Sequence, residues 1–258
     1  MRSTRVVFAL VVIWCAIRLS PAPTAQQPIP LVEAVHAVQM TVTDLDRAID
    51  FYSRVLSFEK VSTTTVHDGG FARLEGVPET TIRIGRLRLG DEIIDLVEYG
   101  SKGRAATATP SNDRSFQHVA IVVRDMDWAY QAIRPYVQAI SSGPQRLPDW
   151  NAAAAGISAF YFRDPDGHPL ELIHFPAGKG PSKWHRPTDR TFEGIDHTAI
   201  TVGDAARSLA FYRDLLGFRV AGGSENWLFT DSSAALRAGG SARDLPTIEW
   251  AARWPTSV

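Results

Sequence analysis

Residues 195–218 read IDHTAITVGDAARSLAFYRDLLGF, and residues 35–58 read VHAVQMTVTDLDRAIDFYSRVLSF. The two stretches run in step: apolar and polar residues alternate, an aspartate follows, and an amphipathic segment closes in Leu-x-Phe. Residues 116–133, FQHVAIVVRDMDWAYQAI, repeat the same unit with a weaker helix end. Asp44, Asp125 and Asp204 anchor the three copies, 81 and then 79 residues apart. A supersecondary unit repeated at a fixed period constrains the architecture before any site is considered.

Alternation with period two marks a half-buried strand, whereas Leu45, Ala48, Ile49, Tyr52 and Leu56 recur at helical spacing, and Leu209, Tyr212 and Leu216 trace a similar face in the third copy. Each anchoring aspartate stands where the strand stops and the helix starts. Its carboxylate can accept the unpaired amides of the first turn, so the three aspartates read as structural caps. Strand-like runs follow each helix. In the first copy they cover 58–66, 81–89 and 92–99, with Gly90-Asp91 as a hairpin turn. In the second they cover roughly 139–142, 157–163 and 169–175, with Asp164-Pro-Asp-Gly167 as the turn. One unit is therefore strand, helix and three strands. The expected class is α+β, with tandem βαβββ modules forming half-open curled sheets around a cavity.

The expected modules span 31–108, 114–178 and 193–258. The third starts well and then loses the pattern: from Asn226 onward the text is rich in Ala, Arg, Gly and Ser, without a second turn-carboxylate hairpin. Only residues 247–250 hint at a last strand, with Glu249 as a weak counterpart of Glu171. The third module is expected to be incomplete.

At the amino terminus Arg2 and Arg5 precede an apolar run over 6–17, and small residues and prolines follow up to Ala25. Twelve apolar residues are fewer than the roughly 20 a permanent membrane helix needs, so residues 1–25 read as a secretory signal peptide. The expected location is periplasmic or secreted, with an uncleaved anchor as the alternative and no stable membrane span after cleavage. Cys15, the lone cysteine, lies inside that run, which leaves the mature chain without disulfide or thiol chemistry. Removing three arginines from the 27 basic residues leaves 24 against 28 acidic ones, a mature charge of −4. No basic tract suited to a phosphate backbone is present, so nucleic acid is not an expected partner.

Three motifs now stand together: the HxxIxVxD signature at 197–204, the FYxxxLGF helix end at 211–218, and the DPDGHPLEL hairpin at 164–172. Together they resemble the vicinal-oxygen-chelate superfamily of glyoxalase I, extradiol dioxygenases and bleomycin-resistance proteins, over about residues 33–220. The resemblance implies a metal in a cavity between paired modules. Its ligands would come from the first position of the first strand, usually His or Gln, and from a carboxylate in the last strand.

Carried over, His118 stands seven residues before Asp125, and Glu171 lies in the last strand of the same copy. His197 stands seven before Asp204. The first copy departs, with Ala37 at that position and His36 on the opposite strand face. Gln39 shares a face with Ala37 and is a substitute, and Asp95 matches Glu171. The candidate ligand sets are His118, Glu171 and Asp95 if copies one and two pair, or His118, Glu171 and His197 if copy three closes over copy two. The second is a two-histidine, one-carboxylate set. A bland reading exists for each: a histidine at a strand start can simply cap the backbone. Glu171, flanked by Leu170 and Leu172, must instead meet a polar cavity or a cation, since a buried unpaired carboxylate is costly. His168 and His174 read as surface or rim residues. The loop over 143–151 offers Arg146 and Trp150 as substrate contacts.

What the resemblance implies is an enzyme dependent on one divalent metal ion (Fe, Mn, Zn, Ni or Co), acting on a small-molecule substrate with two neighbouring oxygens. The reaction would be of the lyase, isomerase or ring-cleaving dioxygenase kind, with Glu171 also transferring a proton. The alternative is a non-catalytic binding protein of the bleomycin-resistance type, a reading that Ala37 favours. A homodimer is also expected as an option, because an unpaired third module exposes a sheet face.

Overall fold

Asp44, Asp125 and Asp204 end their strands in extended backbone, and each carboxylate accepts the amide three residues on, from Arg47, Trp128 and Arg207. These bonds satisfy amides that the first helical turn leaves unpaired. The structure is a computed structural model, and it describes residues 32, 34–78, 80–100, 110, 113–115, 117–150, 152 and 154–220. The expected signal segment, Glu249 and the remainder of the third module's expected strands lie outside the described residues.

The first module runs β1 (Val38–Thr41), α1 (Leu45–Arg54), β2 (Glu59–Val66), a short α2 (Gly69–Leu74), β3 (Ile82–Leu89) and β4 (Glu92–Tyr99). It forms a four-stranded sheet in the order β1-β4-β3-β2, with β1 parallel to β4. The second module supplies β5 (Gln117–Val123), α3 (Met126–Ile133), β6 (Gln138–Ala139), β7 (Gln145–Arg146), β8 (Ser158–Arg163) and β9 (Pro169–His174). The third contributes β10 (Phe192–Ile200), α4 (Ala205–Leu209) and a π-helical stretch, Ala210–Leu215. A six-stranded sheet runs β10-β5-β9-β8-β6, with β7 also paired to β8, and β10 lies antiparallel to β5. α+β architecture with curled, unclosed sheets is thus what the chain adopts.

Strand parity sorts the side chains. Val119, Ile121, Val123, Leu170 and Leu172 face α3 and share one core with Met40, Leu45, Tyr52, Leu56, Leu87 and Leu96 of the first module. Modules one and two are therefore docked through their helix-bearing faces. Burying a side chain such as Leu45 or Leu56 contributes about 1.5–3 kcal/mol. The opposite face of β5 and β9 carries a smaller apolar cluster of Ala120, Val122, Ile173 and Trp184. Modules two and three instead meet edge to edge, first strand against first strand.

The turn between β8 and β9 is the polar clamp between modules one and two. Asp164 accepts from the Tyr52 hydroxyl at 3.0 Å, from the amides of Asp166 and His168, and contacts His168 Nδ1 at 2.8 Å. Asp166 accepts from the Thr43 amide and the Arg47 guanidinium, each at 3.1 Å. Gly167 takes φ +91°, which the turn requires and an L side chain resists. His168 is thus more than a rim residue. Burial works against its protonated form, but the bond to Asp164 and the charges of Asp164 and Asp166 prevail, and its pKa is raised from 6.5. A raised folded-state pKa means the stabilisation is complete below 6.5 and is lost as pH climbs through the raised value. Melting temperatures measured from pH 6 upward should therefore fall more steeply for the unsubstituted protein than for His168→Gln.

Candidate metal centre

Three neighbouring strands, β9, β5 and β10, place the key side chains in a row. Ala120 on β5 stands opposite Glu171 on β9 and opposite His197 on β10. Strands lie about 4.8 Å apart, so Glu171 and His197 flank a single methyl group and lean over it. His118 projects from the same face of β5, two residues earlier. One ligand atom from each of His118, Glu171 and His197 lies within 4.8 Å of the other two. His118 Nε2 is 3.1 Å from Glu171 Oε2, and His197 Nε2 is 3.5 Å from that oxygen. The three side chains are 10%, 5% and 7% exposed, so the cluster is shielded from bulk water.

Burial alone would push the Glu171 carboxyl up, but the two imidazoles closing on it hold its pKa down at about 2. Burial would likewise lower that of His197, yet Asp196 and Glu171 together raise it to about 10. Two imidazoles thus close on one buried carboxylate from neighbouring strands. Glu171 Oε2 is buried and accepts no hydrogen bond of good geometry, although two ring nitrogens approach it. An orphaned carboxylate oxygen facing two imidazoles is the donor set a divalent cation would complete.

Of the two ligand sets the sequence left open, the structure assembles the second. Asp95 does not reach the cluster. It lies on the first module's sheet, where Arg86 grips both its oxygens at 2.8 Å. Register explains the difference: Asp95 faces Arg86 across β3 and β4 where Glu171 faces Tyr161 across β8 and β9. The first module thus pairs a guanidinium with the carboxylate and carries Ala37 in place of the histidine. Asp95→Ala should leave cation content unchanged and cost at most about 1 kcal/mol, because the Arg86 partner is half exposed. Elemental analysis and urea unfolding of that variant check both. Gln39 stands beside Asp95 in register and is exposed. Arg146 pairs with Asp149 at 2.9 Å, and Trp150 is 55% exposed. None of these three belongs to the cluster.

The sequence model of the Glyoxalase/Bleomycin resistance protein/Dioxygenase superfamily matches residues 34–172 and 194–257. The chain belongs to that superfamily. It is 35% identical over 156 residues to a 2-epi-5-epi-valiolone epimerase of an Actinomyces species, covering 58% of this chain and 84% of the relative. It is 27% identical over 184 residues to lactoylglutathione lyase of Arabidopsis thaliana, covering 69% of this chain and 53% of that protein. The chain thus spans about half the lyase's length. Glyoxalase I from Zea mays shares the fold, with a TM-score of 0.54 at 18% identity, covering 75% of this chain and 58% of that one. Among the described residues no helix is long and apolar enough to cross a membrane.

Within this superfamily member, three residues at the cluster escaped the sequence reading. Tyr161 sets its ring edge-on to His118, centroids 5.1 Å apart. Asp196 Oδ2 lies 2.9 Å from His197 Nδ1, and Trp184 Nε1 donates to Asp196 Oδ1 at 2.7 Å. The sole available signal was Asp196 preceding His197 in sequence. Strict alternation, however, assigns neighbours to opposite faces.

Proposed function

We propose that this protein is a divalent-cation-dependent enzyme of the superfamily, acting on a small substrate through two neighbouring oxygens, in chemistry of the isomerase or lyase kind. One observation carries the reading: His118, Glu171 and His197, from three adjacent strands, converge in one shielded cluster. The names of the two curated relatives, an epimerase and a lyase, support that choice over ring cleavage.

His118, Glu171 and His197 would hold the cation, which when bound supplies Lewis acidity to the substrate oxygens. Glu171, ionised throughout the working pH range, accepts and returns the proton at its carboxylate. Ala120, Val122 and Ile173 make the floor apolar, which keeps water out and strengthens every charge interaction above it. The Tyr161 ring limits the rotation of His118. On the reading of residues 1–25 as an export signal, we place this activity outside the cytoplasm.

The test is the metal content of the purified protein, with turnover assayed on small 2-hydroxy and 1,2-dicarbonyl compounds before and after chelation. Expected are one cation per chain and turnover that chelation abolishes and re-addition restores. Metal-free protein that turns over undiminished, or His118→Ala that retains a full equivalent of cation, contradicts the proposal.

A further inference from the structure

The indole of Trp184 and the carboxylate of Asp196 form a brace behind His197 whose parts come from separate elements. β10 is bulged between Ile195 and His197. The irregularity sets Asp196 beside its neighbour's ring, where a regular strand would turn it to the opposite face. Both oxygens of Asp196 are engaged: Oδ1 accepts from Trp184 Nε1 at 2.7 Å, and Oδ2 faces His197 Nδ1 at 2.9 Å. Trp184 belongs to a single 3-10 turn, Ser182–His185, and is buried. That turn is pinned from the first module. Glu92 on β4, fully buried, accepts from Lys183 Nζ at 2.6 Å and from the Ile195 amide at 3.0 Å. The Lys183 ammonium also sits 4.0 Å above the Trp184 ring. Gly194 completes the fit, because a Cβ there would lie 2.3 Å from Glu92 Oε2 and 2.7 Å from the Trp184 ring.

We propose that Asp196 is a positioning residue, held by Trp184, which fixes the His197 ring so that Nε2 faces Glu171. The proposal deepens the cation-site reading and rests on it. With Nδ1 committed to Asp196, Nε2 is the nitrogen left to face Glu171, and ring rotation is blocked by the same contact. A carboxylate behind a ligating imidazole orients the ring and raises its basicity, and losing such a partner typically costs 10- to 100-fold in metal affinity. The first module then acts on the centre through Glu92 without contributing a ligand to it.

The experiment titrates cobalt(II) alone into the full chain and its Asp196→Ala, Trp184→Phe, His197→Ala and Tyr52→Phe variants, recording affinity, stoichiometry and thermal stability. Asp196→Ala should bind one equivalent about 10- to 100-fold more weakly, and Trp184→Phe should show a smaller loss in the same direction. Tyr52→Phe, destabilised at the remote clamp, should bind as the unsubstituted protein does, which separates positioning from general loosening. Unchanged affinity in Asp196→Ala, with His197→Ala weakened, overturns the positioning role and leaves the cation site standing. An unsubstituted protein that binds no cobalt overturns both.

Discussion

Replacing Glu171 by Gln should weaken cation binding by about 100- to 4000-fold while leaving the fold assembled. The substitution keeps size and shape and removes one charge from a hollow where Glu171 is 5% exposed. Removing one partner of a buried ionic arrangement costs about 3–5 kcal/mol, because the remaining charges lose their counterion and stay out of water. At about 1.4 kcal/mol per tenfold, that cost gives the stated range. Two further consequences separate Glu171 from an ordinary structural carboxylate. His197, whose pKa of about 10 owes part of its elevation to Glu171, should titrate at lower pH in the variant. Turnover should vanish even at cation concentrations that refill the site, since the proposed proton acceptor is gone. Calorimetric titration with zinc or cobalt reads the affinity. A Glu171→Gln protein that binds within threefold of the unsubstituted chain removes Glu171 from the centre.

The second large effect lies away from the centre. Asp164→Ala should lower unfolding stability by about 3–5 kcal/mol, read as a shift of the urea midpoint. The carboxylate is 1% exposed, accepts two amides of its own turn, and takes the Tyr52 hydroxyl from the first module. Truncation leaves the Tyr52 hydroxyl, on a residue 1% exposed, with the weak acceptor Met40 Sδ at 3.7 Å in place of a carboxylate, and a buried polar group that loses its strong partner costs about 1–3 kcal/mol. His168 loses its carboxylate partner as well. Tyr52→Phe removes one donor and should cost less, about 1–2 kcal/mol, since Asp164 keeps its other partners. A change under 1 kcal/mol in Asp164→Ala shows that the apolar core alone joins the modules.

The repeat unit was legible because it is written in period and offset. The apolar strand runs in 117–123 and 169–174, the cap positions and the Asp-Pro-Asp-Gly turn all carry their own local chemistry, and the structure places them where those rules do. His118, Glu171 and His197 were legible for the same reason, each sitting at a fixed offset from its cap or turn. What local rules do not encode is which edge meets which edge. A strand sequence shows the face a side chain takes but not the neighbour across the sheet, so Asp95 looked as good a ligand as His197 until Arg86 was found opposite it. Asp196 was hidden by a bulge that breaks the parity used to read the strand. Trp184 was hidden by its place in a short turn without periodicity. The short helix α2, opened by two glycines and capped by Asp68, was missed because six residues are too few for a helical pattern to emerge.

The most direct measurement is an anomalous-difference map from crystals of the full chain grown with cobalt, collected on both sides of the cobalt edge. Expected is a single strong peak within bonding distance of His118, Glu171 and His197 together. A map without a peak there, or with its strongest peak beside Asp95 on the first module, contradicts a shared cation centre between β5, β9 and β10.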